Sequence, residues 1–336
     1  MTESAVKETP KKSESPKANH LTLWLNRLGP LLALVAVYIG FALVTPESFT
    51  SPKNIELIVR QTSIVCVAAL GMTFVIISGG IDLSIGSVVA LVTVVIAALL
   101  QHGVAPLLAC AGGIGIGIVA GALNGALITR LKVVPFIVTL GTLLIYRGMA
   151  KGFANEQKID APLTWLNDML AALKPEQALM MVPPGVWLLV LLALLSFVLL
   201  NYTRFGLHVF AIGSNEQSAR LCGISIDRVK LLVYTLSGFM AGVAGLLQFS
   251  RLTVGDPTVA VGLELDVIAS VVIGGGSLSG GEGSILGTIV GALIMTVVRS
   301  GCSQLGLSNW VQEIVTGVII VLAVIVDRLR HRNHSR

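Results

Sequence analysis

Apolar runs of roughly 17–25 residues recur along this chain from residue 30 to residue 327, and each is long enough to carry a helix across about 30 Å of hydrocarbon. In lipid, every backbone polar group must be satisfied within the spanning structure, which leaves only helices and closed barrels. A barrel would show alternating segments of about ten residues, and these runs do not alternate. The fold class follows: an all-α polytopic membrane protein. Composition agrees, with 54% hydrophobic and only 12% charged residues, where soluble domains carry about a quarter.

About ten transmembrane helices are expected, at 30–45, 58–78, 84–101, 104–128, 134–150, 186–202, 231–249, 263–278, 284–299 and 309–327. Together they make a transmembrane domain over 30–327, preceded by a polar tail (1–29) and followed by a basic one (328–336). The tail is too long for a cleaved signal peptide, and the next apolar run lacks a small-residue exit. Two Gly-rich breaks, 79–83 and 274–283, are places where a helix can end inside the membrane. Lys and Arg divide fifteen to eight between alternate loops when the N-terminus is placed inside. The bias puts both termini in the cytoplasm and leaves 151–185 as a long external loop, with a surface-lying helix over 163–173 flanked by Trp165 and Trp187.

The net charge of +5 is explained by basic residues retained on the cytoplasmic side, so nucleic acid is not an expected partner. Cys66, Cys110, Cys222 and Cys302 are scattered through mostly apolar surroundings, without metal-ligand spacing. The five histidines form no zinc motif. No catalytic set can be assembled, so the chain reads as a non-enzyme with no cofactor or metal.

Within Gly71–Gly86, Asp82 follows Gly79-Gly80 and is flanked by Ser78 and Ser84. An aspartate at membrane depth costs about 2.5–3.5 kcal/mol on insertion scales unless paired or wet. Two readings stand side by side: a cytoplasmic turn in which Asp82 caps the next helix, or a break lining a pathway with hydroxyl-binding oxygens. Asn124 is a second polar group inside an apolar run, suited to cross-helix bonding or to the pathway. Gly113, Gly117, Gly121 and Gly125 make one helix face, and Gly238, Gly242 and Gly245 recur further on; both are packing surfaces. The second break, Ile273–Ser284, lacks the Gly-Lys-Ser/Thr of a phosphate loop, and the chain therefore has no ATPase of its own. Glu264 and Asp266 stand at a helix start, where carboxylates favour the dipole; exposed, they would also suit docking of a partner protein.

Between two membrane runs lies a polar island, 203–230. Glu216 and Arg220 are i, i+4 and support a short helix, which Gly223 ends. Ala219, Leu221 and Ile224 give it an apolar side that fits a cleft in another protein.

Four stretches also resemble a known family. They are Gly79-Gly-Ile-Asp-Leu-Ser-Ile-Gly86, the Gly213-x-Asn-x-x-x-Ala-x-x-x-Gly-Ile224 loop, Gly262-x-Glu-Leu-Asp-x-Ile-Ala269, and Gly274-Gly-Gly-Ser-Leu-x-Gly-Gly-x-Gly283. In this order they look like the ribose/xylose/galactose-type permeases of bacterial ABC importers, over about residues 30–327. The resemblance implies a homodimeric permease in the inner membrane. Its partners would be a two-domain ATPase subunit and a periplasmic sugar-binding protein. It makes Asn215, Glu216, Ala219, Arg220, Gly223 and Ile224 the segment that couples to the ATPase. The cargo implied is a monosaccharide; the rival is an ion-coupled secondary sugar transporter, for which Asp82 is the only good ion site.

Overall fold

The computed structural model describes residues 20–172 and 181–334. Among them are twelve helices: α1 (His20–Val44), α2 (Pro52–Ile77), α3 (Ile85–Gln101), α4 (Pro106–Leu131), α5 (Pro135–Phe153), α6 (Pro184–Tyr202), α7 (Arg204–Ser214), α8 (Glu216–Leu221), α9 (Ile226–Leu252), α10 (Leu263–Ile273), α11 (Ile285–Gln304) and α12 (Asn309–His334). Four of them, α2, α4, α5 and α6, open with proline at the first turn, where its missing N–H costs nothing and its φ is already helical. Each of the ten expected runs has its helix, and α7 with α8 occupies the polar island. α1 begins inside the segment read as a tail, and residues 1–19 of that segment lie outside the described residues. α12 likewise continues to His334 through most of the expected basic tail.

Not every run is long enough to span: α1, α3 and α12 carry shorter apolar stretches (Gly29–Val44, Ile85–Gln101 and Asn309–Ile325), and one run is far too short. α10 has 11 residues, about 16 Å of helix against the roughly 30 Å of a bilayer core. Six helices are long and apolar enough to cross: α2, α4, α5, α6, α9 and α11.

Burial sorts these helices into layers. In α2, 83% of the most apolar window is buried, against 22% in α5, so α2 is core and α5 faces lipid. α3 is as enclosed as α2, with Val89, Val92 and Ile96 wholly buried. The most extensive helix pair is α4 with α9, at the two glycine faces. A Cβ at Gly238 would fall 2.3 Å from the Gly117 carbonyl, and one at Gly121 would fall 2.2 Å from the Tyr234 carbonyl. Without a hydrophobic drive between helices in lipid, close backbone approach supplies the association energy.

The chain has two distinct ends. At one, α7 meets the C-terminus of α2 and α8 lies beside α7 and α9. At the other, β1 (Ile159–Asp160) pairs antiparallel with β2 (Val254–Gly255), Ile159 opposite Gly255. The surface helix expected over 163–173 does not form; only a 3-10 turn at Asn167–Met169 is helical, and Leu173 lies outside the described residues. Leu166 and Leu170 are buried inward, and Ser250 fixes the turn by accepting from the Leu170 amide (2.9 Å) while donating to the Asn167 carbonyl (3.0 Å). Burial of those leucines outweighs the amphipathic pattern.

Candidate functional site

The break between α2 and α3 is embedded in the bundle. Ser237 lies three turns into α9, roughly 16 Å along it at 1.5 Å per residue, and its hydroxyl donates to Asp82 Oδ2 at 3.3 Å. Asp82 Oδ1 accepts from the Ser84 amide (3.0 Å) and from its hydroxyl (2.6 Å). Asp82 thus closes a tight turn on Ser84, the residue that precedes the first turn of α3. The chain of bonds continues outward. Asn124 Nδ2 donates to Ser84 Oγ at 2.8 Å, and Tyr146 Oη donates to Asn124 Oδ1 at 3.3 Å and to the Ala120 carbonyl at 3.0 Å. The Ile81 carbonyl, freed by the break, accepts from Thr139 (3.1 Å) and Tyr234 (3.4 Å). Side chains from three helices, α4, α5 and α9, thus converge on one interrupted backbone, as burial in apolar surroundings demands.

Asp82, Ser84 and Asn124 are thereby brought together, while Ser78 stands apart and donates to the Val75 carbonyl. All four are at most 3% exposed. Their side-chain oxygens are engaged within the bundle in this conformation.

The second break is a close-packed turn. Gly281 N donates to the Ile77 carbonyl at 2.9 Å, joining the two breaks. Against the same carbonyl lies Gly213 of α7, where an added Cβ would come within 1.7 Å of Ile77 O and 2.5 Å of Gly281 N. Both breaks and α7 meet at this point.

From this junction the chain runs into the six-residue α8. Asn215 caps it, its side chain accepting from the Ser218 amide at 2.8 Å. At the other end Gly223 takes φ +82°, and the Ile224 amide reaches the Ala219 carbonyl (3.1 Å) in the left-handed closure that glycine allows. Glu216 binds Arg220 (3.3 Å), as the spacing predicts, and also Lys230 of α9 (2.7 Å). The Lys230 hydrogen bond and charge hold the Glu216 carboxyl below the usual range. Ala219 is buried and Ile224 packs on the core, so the apolar side expected to enter another protein faces inward. Leu221 is the exception, 89% exposed.

Glu264 and Asp266 also sit otherwise than docking requires. Asp266 is 2% exposed and pairs with Arg299 of α11 at 2.6 Å. Glu264 points at the N-terminus of α3, where a Cβ on Gly86 would lie 2.3 Å from its Oε2. The approach to α10 is strapped down. Arg147 donates to the carbonyls of Pro257 (3.1 Å) and Val259 (2.6 Å), and Lys158 pairs with Asp256 at 3.2 Å. Burial pushes the Asp256 carboxyl up, but hydrogen bonds from Thr258 and Lys158 outweigh it and hold it below the usual range.

Beside this strap lies a cavity of about 350 Å³, walled by α2, α9, α10, α11 and α12. Its polar groups include Asn54, Gln61, Gln248, Arg251, Arg299 and Gln304. The sequence reading missed them, although a lone amide inside an apolar run, such as Gln248, carries the same signal as Asn124.

Residues 54–324 match the model of the family described as "Branched-chain amino acid transport system / permease component". The chain is 38% identical to the ribose import permease protein RbsC of Escherichia coli K12, over 90% of this chain and 94% of that one. It is 39% identical to RbsC of Bacillus subtilis strain 168, over 93% and 96%. It is 33% identical to the D-allose transport system permease protein AlsC of E. coli K12, over 94% and 96%. No solved structure matches it.

Proposed function

Because the chain belongs to the monosaccharide ABC transporter permease family, we propose that it forms the membrane pathway of an ATP-driven importer for a neutral sugar of the ribose class. The similarity to RbsC over nine-tenths of both chains carries this reading. The low share of charged residues, 12% of the chain, supports it, since a neutral polyol needs hydroxyl-matching groups and no strong ionic site.

ATP hydrolysis belongs to a separate subunit with two ATPase domains. A periplasmic sugar-binding protein delivers the cargo. The α7–α8 segment lies in the cytoplasm, as do both termini, and the strap and cavity lie on the periplasmic side; the fifteen-to-eight division of Lys and Arg supports this sidedness. A second copy of the chain covers the α10–α12 flank. There Asn309, Gln312, Glu313 and Thr316 line a recess of about 560 Å³ with Asp266 and Arg299, a polar wall that lipid would not tolerate.

ATP binding draws the ATPase domains together, and α8 receives the motion as a rigid handle. Exposed Leu221, Arg220 and Gln217 meet the motor, while Asn215, Gly223, Ala219 and Ile224 keep the handle's shape. Gly213 passes the displacement to the two breaks at Ile77 and Gly281. Asp82, Ser84 and Asn124 form the hinge-side lock of the pathway, exchanging partners as α2, α4 and α9 shift.

Reconstitution with the ATPase subunit and the binding protein in proteoliposomes tests the reading. D-ribose uptake is expected only with ATP. Uptake by the permease alone under a proton or sodium gradient sinks it in favour of ion coupling, as does ATP-driven uptake of L-leucine in place of sugar. The enclosure of both Asp82 oxygens by Ser84 and Ser237 already weighs against an ion site there.

A further inference from the structure

Resting on the reading as a sugar permease, we propose that the cavity beside the strap is a binding subsite for the sugar itself. Gln61, Gln248 and Arg251 would be its hydroxyl-binding groups. The permease would then exercise its own discrimination and not simply accept whatever the binding protein delivers.

Three observations converge. The cavity, at about 350 Å³, lies within the range of pre-formed small-molecule sites. Gln248 is 7% exposed, lines the cavity and makes no hydrogen bond among the described residues. A carboxamide needs partners for its donors and acceptor, and with the rest of the residue buried the cavity is where this one finds them. Gln61, facing it from α2, is likewise unbonded among the described residues. Asn54 makes the contrast: its Oδ1 accepts from Ser300 (3.2 Å) and Gln304 (3.3 Å) and its Nδ2 donates to the Phe49 carbonyl (2.8 Å). It belongs to the wall, whereas Gln61 and Gln248 are free to meet a ligand.

The chemistry offered is selective. A carboxamide presents a donor and an acceptor side by side, as does each hydroxyl of a sugar. Arg251 adds donors and has no acidic partner among the described residues, since Asp266 is taken by Arg299. Leu57, Ile64 and Met295 supply apolar wall for the C–H face of a sugar ring. A site that hydrogen-bonds a hydroxyl rejects the analogue lacking it far more strongly than an apolar pocket rejects a missing methylene.

The test compares D-ribose with 2-deoxy-D-ribose in the full reconstituted importer, at saturating sugar-loaded binding protein. The binding protein is the same throughout, so its own selectivity cancels between variants. Gln248→Leu is expected to lower maximal D-ribose uptake at least about tenfold and to shrink the ribose-to-deoxyribose ratio by a similar factor. ATPase stimulation by the binding protein should survive, and Gln248→Asn should recover part of the ratio. Gln61→Leu, on a different helix, should move the ratio the same way and decides the matter if Gln248→Leu lowers thermal stability. Unchanged rates and ratios in both leucine variants overturn the subsite while leaving the sugar reading intact. A wild-type importer inert toward D-ribose, D-allose and L-arabinose alike overturns the sugar reading, and the subsite with it.

Discussion

The Gly281 amide donates a 2.9 Å hydrogen bond to the Ile77 carbonyl, and Gly213 lies against that same carbonyl. Two helix interruptions far apart in sequence therefore share one backbone contact with the segment that carries the handle. A displacement of α7 has no slack to absorb it, because any Cβ at Gly213 would overlap backbone atoms on both sides.

The α4–α9 contact should tolerate no added side chain. Gly238→Val forces backbone from backbone and is expected to cost about 2–3 kcal/mol, read as a lower Tm in detergent. Gly115→Val, on α4 but with nothing within 4 Å of its Cβ, is the control and should melt with the wild type.

Removing the α8 cap separates handle from motor. Asn215→Ala deletes the bond to the Ser218 amide and should destabilise this helix by about 1 kcal/mol. ATPase stimulation by the loaded binding protein should fall while the Tm of the membrane domain holds; Asn215→Asp should behave as wild type.

The Glu216–Lys230 pair sets a pH dependence. The folded carboxyl is depressed below its ordinary value of 4.5, so its contribution is complete above that value. It is lost as pH falls through the depressed folded value. Amide protection at the α8–α9 junction, taken relative to intrinsic exchange at each pH, should therefore be flat near neutrality and fall only under strongly acid conditions. Glu216→Gln should remove that acid step and show the lower protection at every pH.

Asp266 and Arg299 should respond unequally. Asp266 is enclosed and Arg299 half exposed, with side-chain exposures of 3% and 50%. Arg299→Met strands a buried carboxylate and is expected to destabilise by on the order of 2 kcal/mol. Asp266→Asn leaves an arginine that reaches water and should cost less. The double variant should recover part of the loss, and equal single effects would contradict the burial asymmetry.

The apolar runs made the helices legible because hydrocarbon imposes their length, and Gly223 and the Glu216–Arg220 spacing made α8 legible because helix ends and i, i+4 pairs are local. What faced which way was not local. Ala219 and Ile224 read as an outward apolar side, yet they turn inward once α9 packs beside them. Asp82 read equally well as a cap or as a pathway oxygen, and its bond from Ser237, like that of Ser84 from Asn124, comes from a distant helix that no local pattern announces. The halved length of α10 was hidden by Gly274–Gly276, which continue its apolar character after the helix has ended. Gln61 and Gln248 escaped notice because a single amide in an apolar run gains meaning only from its neighbours across the cavity.

The inward turn of the α8 motif residues divides labour between scaffold and signature. Asn215, Ala219, Gly223 and Ile224 hold the knob's form from within, so Gln217, Arg220 and Leu221, the exposed positions proposed to meet a motor, carry none of that packing. Retuning this permease to a foreign engine would call for repainting three outward side chains, with the frame beneath them untouched.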